Sequence, residues 1–124
     1  MRIWACEMRN EENLKTRTKA YALRVIKLVE ALPRKATADV MGRQLLRSAT
    51  SVGANYRAAC RAKSAADFIA KMGIVEEEAD ECLYWMELLI DSGLLHSERL
   101  VDLMAVGNEI VAIVVASIKT ARRR

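Results

Sequence analysis

From Gln44 to Asp91 the chain repeats its apolar residues at helical spacing, and only Lys63-Ser64 breaks the rhythm. A half-buried strand would instead alternate at every second residue. Met41, Leu45, Ala49, Val52, Tyr56 and Ala59 share one face before the break. Phe68, Met72, Val75, Ala79, Cys82, Leu83, Met86 and Ile90 share one after it. Two long amphipathic stretches joined by so short a break predict an antiparallel helix pair. The ends of the second stretch are also marked. Ser64 and Asp67 stand three apart before the apolar period, as in a capping box. Gly93 supplies the left-handed conformation that closes a helix.

The flanks extend the same reading. Leu14, Tyr21, Val25, Leu28 and Leu32 recur at helical spacing, with Lys19, Arg24 and Lys27 turned away. Pro33 ends that stretch, because it has no amide hydrogen and biases the residue before it away from helix. The short linker Pro33–Thr37 returns the next helix antiparallel. Beyond Ser97, Leu100, Leu103, Gly107, Ile110, Val114 and Ile118 begin a last helix. With one Pro and five Gly in 124 residues, little punctuation remains for hairpins. The expected fold is all-α, an antiparallel up-down-up-down four-helix bundle with helices near 14–31, 39–62, 64–91 and 97–119. Residues 1–13 read as a disordered extension, 14–119 as one bundle domain and 120–124 as a basic tail.

Charge is divided unevenly along the chain. Residues 1–63 carry 14 Lys/Arg against 5 Asp/Glu, whereas residues 64–124 carry 6 against 11. At about 100° per residue, Arg43, Arg47, Arg57 and Arg61 fall in one stripe opposite the apolar face of the second helix. Guanidinium groups in a stripe can grip phosphates. They can equally meet the acids of the third helix, in the same subunit or a neighbour. No aromatic residue interleaves the stripe, which argues against base stacking.

The third and fourth helices carry more apolar surface than one small core needs. Ile74, Tyr84, Trp85 and Leu88 form a second strip beside Glu77, Glu78 and Glu81. In the fourth helix Met104, Val111 and Val115 belong to the same wide apolar arc, and Val106 and Ile113 extend it further. Helices apolar on two sides touch something beyond their own bundle. Ile74, Tyr84, Trp85 and Leu88 are therefore the expected oligomer contact.

Catalytic constellations are missing from the sequence. His96 is the only histidine, so neither a nucleophile–base pair nor the Glu-x-x-His pairs of a carboxylate metal bundle can be assembled. No glycine-rich phosphate loop is present. The chain is expected not to be an enzyme and to hold no metal or cofactor. Three cysteines without CxxC spacing read as reduced thiols, Cys60 and Cys82 in the core, and point to the cytoplasm. The longest apolar run, Ile110 to Ile118, is shorter than a bilayer span, so no membrane partner is expected.

Several short motifs together carry a family resemblance. They are Leu46-Arg47-Ser48-Ala49, Ser51-Val52-Gly53-Ala54-Asn55, Ser64-Ala65-Ala66-Asp67-Phe68, and Glu81 with Trp85. The chain from Met8 to Lys119 resembles the four-helix-bundle proteins encoded in intervening sequences of 23S ribosomal RNA genes. That family is similar to the accessory variability proteins of diversity-generating retroelements. One departure is Ala58, where relatives often carry Glu after the arginine. The resemblance implies a ring, commonly a homopentamer, without known enzymatic activity. It also implies a positively charged surface for nucleic acid, since the retroelement relatives bind nucleic acid and a reverse transcriptase. The expected partners are thus further copies of the chain, RNA or DNA, or a partner protein.

Overall fold

The computed structural model describes residues 8–123, with side chains from Asn13 onward. Helix α1 spans Met8–Glu30, α2 Ala36–Ala59, α3 Ala65–Asp91 and α4 Val101–Arg122, with one 3-10 turn at Ser97–Arg99. No strand occurs among the described residues, and the four helices pack in sequence order with α4 returning to α1. The all-α four-helix bundle is as expected.

Its boundaries differ in instructive places. Helix α1 begins at Met8, ahead of the expected start near residue 14. Residues 9–13 have no apolar period, so the sequence pattern does not mark this first part of the helix. The rest of the expected extension, residues 1–7, lies outside the described residues. Helix α2 starts at Ala36, inside the expected linker, with Lys35 as an extended N-cap that lends no side-chain bond. It stops at Ala59, and the Arg61 and Ala62 amides then bond three residues back, tightening the chain into a turn. Helix α4 continues to Arg122 through part of the expected tail, because Ala121 is buried.

Both marked ends of α3 behave as helix caps. Ser64 Oγ accepts from the Asp67 amide at 3.1 Å. The Asp67 carboxylate accepts from the Lys63 amide at 3.0 Å, one residue before the amide that an ordinary capping box engages. It also receives Lys71 Nζ at 2.8 Å. The lysine bond first, and the Lys63 amide second, hold the Asp67 carboxyl below its usual range. At the other end Gly93 adopts φ 81°, and the Leu94 amide reaches Leu89 O at 3.1 Å, as in a Schellman closure.

The core is aliphatic and centred on α2 and α3, which share the most extensive contact. Leu45, Val52, Tyr56, Met72, Val75, Cys82, Met86 and Leu89 are all fully buried. Leu89 takes the place expected for Ile90, which is only half-buried. Met41, Leu28 and Leu32 are likewise half-buried rather than central. Cys60 and Cys82 are buried, and burial above all pushes the Cys82 thiol up to about 12.

Helices α1 and α2 approach where glycine permits it. A Cβ on Gly53 would lie 3.3 Å from Thr18 Oγ1, and one on Gly42 would lie 2.9 Å from Leu32 Cδ1. Residue 18 is thus level with residue 53, and residues 29–32 with residue 42. Helices α1 and α4 touch less extensively. They meet where Gly107 faces Tyr21, and a Cβ there would come within 2.9 Å of the phenol oxygen. The Tyr21 hydroxyl is buried with no hydrogen-bond partner of ordinary geometry, and burial foremost raises its pKa. Tyr21→Phe should therefore leave stability unchanged or raise it by about 1 kcal/mol, since it removes an unsatisfied buried group. A clear loss of thermal stability would show that the hydroxyl has a partner.

Helix α4 as a whole is long and apolar enough to cross a membrane, which the run from Ile110 to Ile118 alone does not signal. The difference arises because Asn108 and Glu109 interrupt the apolar sequence without lowering the average enough. Only 28 % of its most apolar window is buried in the bundle. Leu103, Gly107, Ile110, Val114 and Ile118 face inward, while Val101, Ala105, Ala112 and Ala116 are exposed.

Candidate nucleic-acid interface

The four arginines of the expected stripe do not stay together as a functional group. Arg43, Arg57 and Arg61 are exposed and make no ion pair or side-chain hydrogen bond among the described residues. Arg61 lies in the turn just past α2, because the chain tightens after Ala59. Arg47 leans the other way, toward α3. Its Nη1 lies 3.1 Å from Glu78 Oε2 and its Nη2 bonds Glu81. It is exposed, with 47 % of its side chain accessible, and ion-paired. Hydrogen bonding to Glu78, more than any other influence, holds it in the charged form.

Helical rotation accounts for the split. At about 100° per residue, Arg43 and Arg57 lie on the α1 side of the outward face of α2, and Arg47 lies some 40–80° round toward α3. Lys19 and Lys27 of α1 are also exposed and unpaired among the described residues. Lys19 falls within the length set by the Thr18–Gly53 and Leu32–Gly42 approaches and lies toward the outer face that carries Arg43 and Arg57. Lys27, eight residues on, is about 80° further round α1 and turns away from α2. At the α1–α2 turn a cleft of about 410 Å³ is lined by both signs of charge, Glu30 and Asp39 with Arg34 and Arg43.

The apolar strip of α3 lies on the far side of Arg47. Ile74 and Tyr84 are 43 % and 53 % exposed, while Trp85 and Leu88 are half-buried and Trp85 also packs against the core. The Tyr84 and Trp85 rings meet edge to face at 5.2 Å. Trp85 Nε1 donates to Glu81 Oε1 at 3.3 Å, and Ser48 Oγ donates to the same oxygen at 3.2 Å. Burial by itself would raise the Glu81 pKa, but the Trp85 and Ser48 bonds and the Arg47 charge outweigh it, and the carboxyl lies below its usual value. A lowered carboxyl pKa means that the network is intact above the ordinary glutamate range and is lost as pH falls through the lowered value. The Trp85 indole N–H resonance should therefore shift at a pH below the usual glutamate midpoint, and Glu81→Gln should abolish that titration. A shift centred at or above the ordinary midpoint would contradict the network.

Among the described residues no three His, Cys, Asp or Glu side chains converge on a cation site. What the geometry offers is exposed arginines without ion pairs at 43, 57 and 61, an ion-paired seam at Arg47, and uncovered apolar surface on α3 and α4.

No curated protein matches the chain. A crystal structure of a protein of unknown function from the S23 ribosomal protein family of Bacteroides thetaiotaomicron is similar, with 37% identity and a TM-score of 0.82. The similarity covers 88% of this chain and 97% of that one. The model of the 23S rRNA-intervening sequence protein family matches residues 12–116, which takes in all of α2 and α3 and most of α1 and α4. Fold, motifs and matched length agree, and the chain belongs to the family of 23S rRNA-intervening sequence proteins.

Proposed function

We propose that this protein is a non-enzymatic, self-assembling helical bundle of the cytoplasm that associates with RNA or other nucleic acid through the unpaired cations of α2. The observation that carries this reading is the contrast among the four arginines. Arg47 has acids to meet, whereas Arg43, Arg57 and Arg61 stand exposed without them among the described residues. Unpaired guanidinium groups in a row suit phosphate, and binding of this kind depends on salt and ignores sequence. The resemblance to retroelement accessory proteins, which meet nucleic acid through a positive surface, supports the same direction. The buried Cys82 thiol supports a reducing compartment.

Changing Arg43, Arg57 and Arg61 together to Gln should abolish binding to a mixed-sequence RNA at low salt while leaving the helical signal and melting temperature intact. Unchanged affinity in that variant would transfer the arginines to a different role. The rival role is a protein-interaction scaffold whose charged faces serve subunit or partner-protein contacts, and the pairing of Arg47 with Glu78 and Glu81 favours it for that one residue. Self-assembly rests on the uncovered apolar surface of α3 and α4, where Ile74, Tyr84 and Val101 are exposed and only 28% of the most apolar window of α4 is buried. Joining unlike surfaces of successive copies closes a ring or extends a filament. The family resemblance favours a closed ring of five.

A further inference from the structure

We infer that nucleic acid is held at one end of the bundle, by cations that α2, the α2–α3 turn and the close of α4 bring together. This rests on the nucleic-acid reading above and fixes where on the molecule it acts. The inter-helix contacts set the level of each helix. Thr18 faces Gly53, Tyr21 faces Gly107, Arg17 pairs with Glu109, and Arg47 pairs with Glu78 and Glu81. Residues 13–17, 54–73 and 111–123 therefore make up one end, where α2 and α4 finish and α3 begins. Asp67 is the only acid in those ranges, and its carboxylate is held by Lys71 and the Lys63 amide. Every other acid of α3 and α4 falls between residues 76 and 109. Arg57, Arg61, Lys63, Lys119, Arg122 and Arg123 are exposed at this end without an ion pair among the described residues. Residues 1–12 and 124 add three cations and three acids to the chain, which leaves the balance as it is. The opposite end is mixed. Arg34 and Arg43 share their cleft with Glu30 and Asp39, and Arg99 stands between Glu98 and Asp102 in sequence.

The helix dipole favours cations in the closing turns of α2 and α4. It disfavours Lys63 just ahead of α3, and it does not account for an end with a single acid. The spread of the cations identifies their ligand. Arg57 belongs to α2 and Lys119 to α4, and these helices stand at opposite corners of the bundle. They are thus farther apart than the about 8–10 Å between packed neighbours. One phosphate group cannot reach both, whereas a chain of phosphates can. An anionic lipid surface also offers many phosphates, but a segment that lies in such a surface sets large apolar residues beside its cations. The large exposed hydrophobic residues, Leu23, Val40, Ile74, Tyr84 and Val101, all lie outside this end. A charged end without apolar anchors suits the backbone of a nucleic acid.

The test compares two full-length variants that each lose three positive charges. Lys119→Gln with Arg122→Gln and Arg123→Gln strips the α4 side of the cationic end. Lys27→Gln with Arg34→Gln and Lys35→Gln removes as much charge from the mixed end. The probe is a fluorescent single-stranded RNA of mixed sequence, about 16 nucleotides long, titrated at several salt concentrations. The first variant should bind at least about tenfold more weakly and lower the slope of log K against log salt by about 2, three contacts at about 0.7 each. The second should stay within about twofold of wild type at physiological salt, where distant charges are screened. Lys63→Gln, which lies outside any helix, should weaken binding about threefold without touching a helix end. Circular dichroism melts confirm that each variant is folded. Equal weakening in the two triple variants means that binding follows net charge alone, which overturns the inference and leaves the nucleic-acid reading standing. Wild-type affinity in the α4 variant or in Lys63→Gln does the same. Binding to anionic phospholipid vesicles but not to RNA, or to neither at low salt, overturns the nucleic-acid reading and the inference with it.

Discussion

Leu45→Ala should lower stability by about 2–5 kcal/mol, and Phe68→Ala by about 3–5 kcal/mol. Leu45 on α2 is 0% exposed and Phe68 near the start of α3 is 1% exposed, so each sits in the best-packed part of the molecule. Removing either side chain forfeits its transfer free energy and leaves a cavity. The Tyr56, Met72 and Val75 side chains nearby are themselves fully buried, and collapse into that cavity would disturb their own contacts. The measurement is the denaturant midpoint at constant slope and fixed protein concentration, since assembly adds concentration-dependent stability. Arg43→Gln on the exposed face of α2 is the control and should move the midpoint little. A midpoint unmoved by Leu45→Ala would mean that α2 turns a different face inward.

Ala112→Glu should convert the assembly into single subunits. Ala112 is exposed at the middle of the outward face of α4, near Ala105 and Ala116, with Val101 59% exposed at the start of the helix. A glutamate buried there without a partner costs about 3–5 kcal/mol per contact, or two to three powers of ten in dissociation constant. Light scattering on wild type and variant reads the outcome. A wild-type mass of one subunit sinks the assembly reading, and a dimer refutes the ring. Trp85→Glu separates the two apolar surfaces: dissociation in that variant as well places the α3 strip in the contact, and an intact oligomer places it outside. Melting curves of both variants guard against loss of fold, which matters more for the half-buried Trp85 than for Ala112.

Local chemistry was the legible part of this chain. Ser64 and Gly93 announce the two ends of α3, since a side-chain cap and a left-handed glycine act within a few residues of themselves. The buried faces of α2 and α3 follow from periodicity in the same way. What sequence could not convey depends on how one helix is placed against another. Nothing local tells that Arg47 turns to Glu78 and Glu81 while Arg43 and Arg57 remain unpaired, because that needs the register of α2 on α3. Lys19 is placed level with α2 only through the Thr18–Gly53 approach. Thr18 itself is buried although polar, its hydroxyl bonded to Lys15 O at 3.2 Å, and it could not be picked out from the other polar residues of α1. Arg61 left the stripe because helix ends tighten, an error built into extrapolating one angle per residue.

The slight contact between α1 and α4 has a kinetic meaning. The chain's two outer helices meet through Tyr21 on Gly107 and through the Arg17–Glu109 ion pair, whereas α2 and α3 are joined by a short turn and share the most extensive contact. The α2–α3 hairpin brings together residues close in sequence and loses little loop entropy in doing so. It is the natural nucleus, and the α1–α4 seam, whose partners lie farthest apart along the chain, closes last. The reverse path is the one open to the native state: α1 can swing away at a lower free energy than global unfolding, and its amides should exchange with solvent ahead of those of α3. Each such opening bares the buried faces of α2 and α4 together. In a crowded cell that transient surface is where a neighbouring copy's first helix can enter in place of the chain's own, so the same weak seam sets both the pace of folding and the exposure to domain swapping.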